Sequence, residues 1–237
     1  MLTLDQLGIS EEDWNQTPAS VRRVTTRLIL VRHGASHHKD DGVVGGPRGC
    51  RGLNDLGRRQ AKRLSQRLVH ELKEKPRAIY CSVIPRAIET AKIVAAAFGD
   101  LDFVLDCGLC TYHTPSDADG KPWTEYSQES AVAGGGVFRP FERGNESWSE
   151  LVARTGRTLE QIVARHVGET IVVVAHSETV QSAFIAFGGL PLSPSFEMAV
   201  TNASITEWET EGNPDAWPRP GWVLVRFNDS AHLLVEG

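Results

Sequence analysis

Leu28-Ile-Leu-Val-Arg-His-Gly34 is an apolar, β-type run that stops abruptly on an arginine, a histidine and a glycine. A second run, Ile171-Val-Val-Val-Ala175, delivers His176 in the same way. Short continuous apolar runs of this kind predict buried strands, and open α/β sheets gather their ligands at the carboxyl ends of such strands. The pattern therefore predicts two imidazoles meeting at one sheet edge. The arginine beside the first of them makes an anion the expected ligand.

Working outward, Leu56, Ala61, Leu64, Leu68 and Leu72 recur at helical spacing along a charged segment, with Asn54 placed to cap its start. Ala78 to Cys81 reads as a second strand, and Pro85 suits the first turn of a helix running from about Arg86 to Phe98. Trp148, Leu151, Val152, Leu159, Ile162 and Val163 mark a further helix that leads through Gly168 into the strand before His176. Ile205 to Trp208 and Trp222 to Phe227 alternate like two strands joined across a polar turn. The expected fold is α/β: three layers, doubly wound, a mostly parallel sheet with helices on both faces and an inserted lid region. Residues 1–24 read as an N-terminal arm. Residues 25–237 read as one domain whose lid, at about 108–147, mixes Pro and Gly with Tyr112, Trp123, Tyr126, Phe138 and Phe141.

Composition narrows the function without naming it. A net charge of −5 lacks the basic face that nucleic-acid or acidic-membrane binding requires, so any anion site is local. No apolar run reaches the roughly 20 residues of a membrane span, and the acidic first residues lack the regions of a signal peptide. A cytoplasmic location is expected. The expected partner is a small molecule, with no nucleic acid and no membrane, and with a homo-oligomer left open. Four cysteines are too few for a disulfide framework, and Cys107-Gly-Leu-Cys110 lacks a nearby second ligand pair, so these thiols read as packing. His33, His37 and His38 lack the carboxylate of a metal site, and no metal or cofactor is expected. Gly45 to Gly52 reads equally as an anion-binding loop or a plain turn, and His70, His113, His166 and His232 read as structural.

If the strand ends converge, Arg32, His33, Arg86 and His176 form a cationic cup. Two guanidiniums and one imidazole can stabilise the charge on the outer oxygens of a phosphoryl group while the other imidazole attacks. His33 is the expected nucleophile, because Gly34 follows it and lets substrate and backbone approach closely. Its second ring nitrogen is expected to donate to a backbone carbonyl, which fixes the tautomer.

These segments resemble the histidine phosphatase superfamily, also called the phosphoglycerate mutase-like family. Leu30-Val-Arg-His-Gly34 is similar to its signature, and Leu53-Asn-Asp-Leu-Gly-Arg-Arg-Gln-Ala61 to its "L-T-x-x-G-x-x-Q-A" helix start. Ser82-Val-Ile-Pro-Arg-Ala-Ile-Glu-Thr-Ala91 resembles its "S-x-x-x-R-A-x-x-T-A" segment, and Val174-Ala-His-Ser177 its second-histidine strand. The resemblance implies a phosphohistidine on His33, a phosphate pocket of Arg32, Arg86 and His176, and no metal. It also implies a glutamate proton donor where this chain has Thr111, and a glycine where it has Ser177. Both residues are expected to touch substrate. Either another acid replaces the donor, with the loop carboxylates Asp117, Asp119, Glu125 and Glu129 as candidates, or the leaving group needs little help, or the activity is weak or altered. The expected function is phosphomonoester hydrolysis on a small or medium organic phosphate. The alternatives are a weakened phosphate-binding or regulatory protein, or a repurposed mutase or isomerase.

Overall fold

The computed structural model describes residues 25–214 and 216–234. The expected arm, 1–24, lies outside them. Strand β1 is Thr25–Arg32, and helix α1 is Asp55–Glu71; β2 is Ala78–Cys81, α2 is Pro85–Ala97 and β3 is Phe103–Leu105. A 3-10 turn at Cys107–Leu109 follows, then α3 (Trp123–Ser130), α4 (Trp148–Arg165), β4 (Thr170–Ala175), α5 (Ser177–Ala186), β5 (Ile205–Glu211) and β6 (Trp222–Asp229).

The six strands form one mixed sheet in the order β3-β2-β4-β1-β5-β6. β3, β2, β4 and β1 are parallel, while β5 and β6 add antiparallel on the far side of β1. Alternate residues of the central strands face opposite layers, as pleating requires. Ile29, Val31, Ile79, Val172 and Val174 pack with Leu64 and Leu68 of α1 and Ala91 and Val94 of α2. Leu28, Leu30, Tyr80, Ile171 and Val173 pack with Leu159 and Ile162 of α4 and Val180 and Ala183 of α5. The sheet is thus covered on both faces, as the unbroken apolar runs predicted.

Local chemistry starts the helices where expected. Asn54 Oδ1 accepts from Gly57 N at 2.8 Å, and Ser147 with Glu150 forms a reciprocal capping box at the head of α4. The sequence does not show β3 or α3. β3 has three residues on the sheet edge, too few to show alternation, and α3 lies inside the irregular aromatic segment, where its Pro122 start and mixed composition hide the period. Among the described residues, no helix is long and apolar enough to cross a membrane.

Candidate active site

The topology itself brings the two histidines together. β4 is inserted between β1 and β2, with Arg32 in register with Ala175 and Cys81 with Val174. One residue further on, His33 N donates to Ala175 O at 2.9 Å and Ser82 N donates to Val174 O at 3.1 Å. His33, His176 and Ser82 therefore leave three adjacent strand ends side by side. The imidazole centroids of His33 and His176 are 5.2 Å apart.

Arg86, in the first turn of α2, reaches both rings. Its Nε donates to His33 Nε2 at 3.0 Å, its Nη2 donates to His176 Nδ1 at 3.4 Å, and its Nη1 donates to Gly45 O at 2.6 Å. His33 Nδ1 donates to Gly34 O at 2.7 Å, the backbone carbonyl contact expected for a tautomer that leaves Nε2 as the lone pair. His176 Nε2 donates to Ser82 Oγ at 2.8 Å. Burial, followed by the charge of Arg86, holds both imidazoles well below their ordinary range, so both rings are neutral at pH 7. Arg32 donates through Nη1 to Val200 O, and its buried Nε has no protein acceptor. Burial lowers this guanidinium from its ordinary value, while nearby Glu178 opposes the shift. Arg32, His33, Arg86 and His176 are thus gathered into one cup.

The signature residues around the cup are its scaffold. Gly34 N donates to Thr90 Oγ1 at 3.2 Å, Ala35 N donates to Gln60 Oε1 at 2.9 Å, and Leu53 N donates to Glu89 Oε2 at 2.7 Å. Sequence reading named none of these three as positioning groups, although Gln60 and Thr90 sit in the quoted motifs. It also gave Gly34 a different reason. A Cβ there would stand 2.6 Å from Gly57 O, so the glycine admits the head of α1 rather than substrate.

Outside Arg86 opens a cavity of about 860 Å³ lined by His38, Lys39, Val43, Val44, Ile84, Thr111, Tyr112, Trp123, Phe141 and Glu178, among others. Thr111 is on its wall; Ser177 opens α5 and is not among the lining residues. None of the expected loop carboxylates, Asp117, Asp119, Glu125 and Glu129, lines it. Asp119 is instead spent on the 45–52 loop, accepting from Gly46 N, Arg48 N and Gly49 N at 2.7–2.9 Å. The loop does present backbone donors to an anion, and the anion is the chain's own. Among the described residues, three carboxylates do face the cavity. Glu146 is held by Arg154 Nε and Nη2 at 2.8 and 2.6 Å, and Glu142 accepts from Asn145 Nδ2 at 2.9 Å. Glu178 Oε2 is buried with no hydrogen-bond partner. Its charge and burial push the neighbouring Tyr112 hydroxyl up to about 12, with burial the larger cause. Burial, then Arg86, lowers His38 to about 4, and its Nδ1 pairs with Ser36 Oγ at 2.9 Å. His166 and His232 are held by structural bonds to Tyr80 and Glu169 and to Ala203 O.

The histidine phosphatase superfamily (branch 1) sequence model matches residues 28–229. Phosphoglycerate mutase-like protein 4 of Arabidopsis thaliana is 33% identical over 216 residues, covering 89% of this chain and 88% of that protein. The metal-independent phosphoserine phosphatase of the same plant is 26% identical over 232 residues, covering 96% and 91%. The solved structure of Bacillus stearothermophilus YhfR is similar with a TM-score of 0.73 at 27% identity, covering 88% of this chain and 99% of that one. A mycobacterial glucosyl-3-phosphoglycerate phosphatase shares the fold, with a TM-score of 0.70 at 24% identity, covering 86% and 99%. With two strand-end histidines and two arginines in one buried cup and a family match from β1 to β6, the chain belongs to branch 1 of the histidine phosphatase superfamily and is a phosphoric monoester hydrolase of that kind.

Proposed function

We propose that this chain hydrolyses an organic phosphate monoester through a phosphohistidine on His33, with Glu178 as the proton donor in place of the usual glutamate. The observation that supports it most directly is the state of His33: a neutral ring, pinned through Nδ1 to Gly34 O, with its Nε2 lone pair directed at a guanidinium. An incoming phosphoryl group takes over that guanidinium. Arg86 turns its fork from the imidazoles to the phosphoryl oxygens, and Arg32 Nε finds there the acceptor it lacks in the protein. The dianion also favours protonation of His176, whose Nδ1 then donates to a phosphoryl oxygen while Nε2 keeps its bond to Ser82.

Nε2 of His33 attacks phosphorus, and the bond to the leaving oxygen breaks as that oxygen takes the proton of the Glu178 carboxyl. Water then attacks the phosphohistidine and returns a proton to Glu178, releasing inorganic phosphate and the free imidazole. Glu178 is assigned because it is the cavity carboxylate with an unpartnered buried oxygen, whereas Glu142 and Glu146 are engaged. The segment from 108 to 147 acts as the cover over the leaving group. Its aromatic wall and the cavity of about 860 Å³ suit an organic phosphate with an apolar body, larger than the phosphoserine for which several relatives are named.

The test is a panel of monoesters, including phosphoserine, 3-phosphoglycerate and aryl phosphates, with acid-labile, base-stable phosphate sought on His33. Turnover and phosphoenzyme lost together in His33→Ala support the reading. Tight phosphate binding without any phosphoenzyme overturns it in favour of a binding protein. Glu178→Gln is expected to slow alkyl esters by about 10²–10⁴-fold and aryl esters far less, because a phenolate leaves without help. Equal losses on both classes remove Glu178 from the donor role.

A further inference from the structure

We infer that Cys107, Cys110 and His113 form a zinc site at the root of the aromatic segment, separate from the phosphate cup. One ligand atom from each residue lies within 4.8 Å of the others. Cys107 Sγ and Cys110 Sγ are 3.7 Å apart, and Cys107 Sγ is 3.4 Å from His113 Nε2. Tetrahedral Zn²⁺ with Zn–S of about 2.3 Å and Zn–N of about 2.0–2.1 Å sets its ligands roughly 3.8 Å (S to S) and roughly 3.5 Å (S to N) apart. The Cys107–Cys110 and Cys107–His113 separations therefore match those of tetrahedral ligands, and the third pair lies within 4.8 Å. The sequence alone hides this site, because no second ligand pair accompanies Cys107 and Cys110; the third ligand is a single histidine three residues past Cys110.

The surroundings are those of a metal ligand set. Glu146 accepts from His113 N at 2.9 Å, and its Oε1 is 3.5 Å from His113 Nδ1. Glu146 thus stands on the Nδ1 side of the ring, where a carboxylate orients a metal-bound imidazole, and Nε2 faces Cys107 Sγ. Arg154 holds the turn that carries both cysteines, donating to Gly108 O at 2.9 Å and to Cys110 O at 3.2 Å. The set is thus pre-arranged by groups that are not themselves ligands. On binding, each thiol gives its proton to solvent and both sulfurs coordinate as thiolates. All three residues line the cavity, so the fourth position is left to water on that side.

The ion would reach the cup through two hydrogen bonds. Ser82 Oγ donates to Cys110 Sγ at 3.3 Å and accepts from His176 Nε2 at 2.8 Å. A thiolate is the stronger acceptor, so zinc at Cys110 fixes the Ser82 hydroxyl that orients His176. The chemistry of the ester is untouched by this role, and its failure leaves the phosphohistidine reading standing.

The test uses the whole chain, reduced and stripped with a chelator, then titrated with Zn²⁺ against a competing chelator and with Co²⁺ in the spectrometer. One ion per chain, with the thiolate-to-cobalt charge-transfer band and tetrahedral visible bands, is the expected result. Cys107→Ser and His113→Ala should weaken binding by at least about 100-fold, and Glu146→Gln by about 10–100-fold. Metal-free melts of the parent and variants check that each variant folds. Absent binding, or affinity that is unchanged in Cys107→Ser and His113→Ala, overturns the site. So does a cobalt spectrum without the sulfur band, or a mass 2 Da low in the untreated protein, which would mark a Cys107–Cys110 disulfide.

Discussion

Arg86 Nε donates to His33 Nε2 across 3.0 Å, so the guanidinium stands in front of the ring nitrogen that the proposed mechanism uses for attack on phosphorus. The same charge holds the His33 ring neutral, second only to burial. On the proposed mechanism, one residue thereby keeps the nucleophile in its reactive form and receives the phosphoryl oxygens when substrate arrives. In Arg86→Ala, kcat/KM is expected to fall by about 10²–10³-fold, since a preorganised donor to the transition-state oxygens is lost. The His33 titration, followed by NMR, should move up toward the ordinary imidazole range. An unchanged titration would detach Arg86 from that second role.

Stability should depend on pH through the same rings. His33 and His176 are 4% and 1% exposed, and both are held well below the ordinary imidazole value. Below about pH 6.5 the unfolded chain binds protons there that the native chain does not. Stability is therefore full above that point and falls as the pH drops toward about 5, at up to about 1.4 kcal/mol per pH unit for each ring. Urea midpoints measured from pH 7.5 to 5 should show this slope, and His176→Asn should reduce it. A flat profile across that window would contradict the buried, neutral state of the pair.

Thr111 and Glu178 both line the cavity, so the proposed mechanism predicts that the proton donor can be moved between them. A Glu178→Gln/Thr111→Glu double variant is expected to recover a large part of the rate lost by Glu178→Gln on alkyl phosphates. The pH profile of kcat is the readout, because only a working acid restores its basic limb. Recovery of rate on aryl esters alone would count against the exchange.

Gly57 carries a purely structural demand at the edge of the cup. A Cβ there would stand 1.9 Å from Ala35 O, and backbone has no rotamer by which to withdraw. Gly57→Ala should cost about 3 kcal/mol or more by denaturant unfolding, beyond ordinary overpacking. Gly156→Ala, whose Cβ would meet Ala186 Cβ at a comfortable 3.6 Å, is the control and should stay near neutral.

The strands and long helices were legible because their signals are local. Leu28 to Val31 and Ile171 to Val174 are fully buried central strands, and a strand covered on both faces has to be apolar at every position. Asn54, Pro85 and Ser147 mark helix starts through their own side chains or ring, and those starts are where the sequence put them, within a residue or two. Arg32, His33, Arg86 and His176 were legible for a related reason: Arg32 ends β1, His33 and His176 follow the ends of β1 and β4, and Arg86 stands in the first turn of α2, all at boundaries the pattern defines.

The remainder needed the third dimension. Nothing in the sequence says that β4 slots between β1 and β2, and only that insertion puts His33, His176 and Ser82 on neighbouring strand ends. Asp119 and Glu178 are both acidic residues near the site, yet Asp119 is saturated by three backbone donors 70 to 73 positions away and Glu178 keeps an oxygen free. The Cys107, Cys110 and His113 cluster depends likewise on Glu146 and Arg154, two residues on the far side of the aromatic segment. Element identity was determined by the sequence, because periodicity and capping act over a few residues. Which side chains share a pocket, and which of them are already satisfied, was decided by tertiary structure, because those contacts close over long loops and depend on where the chain returns.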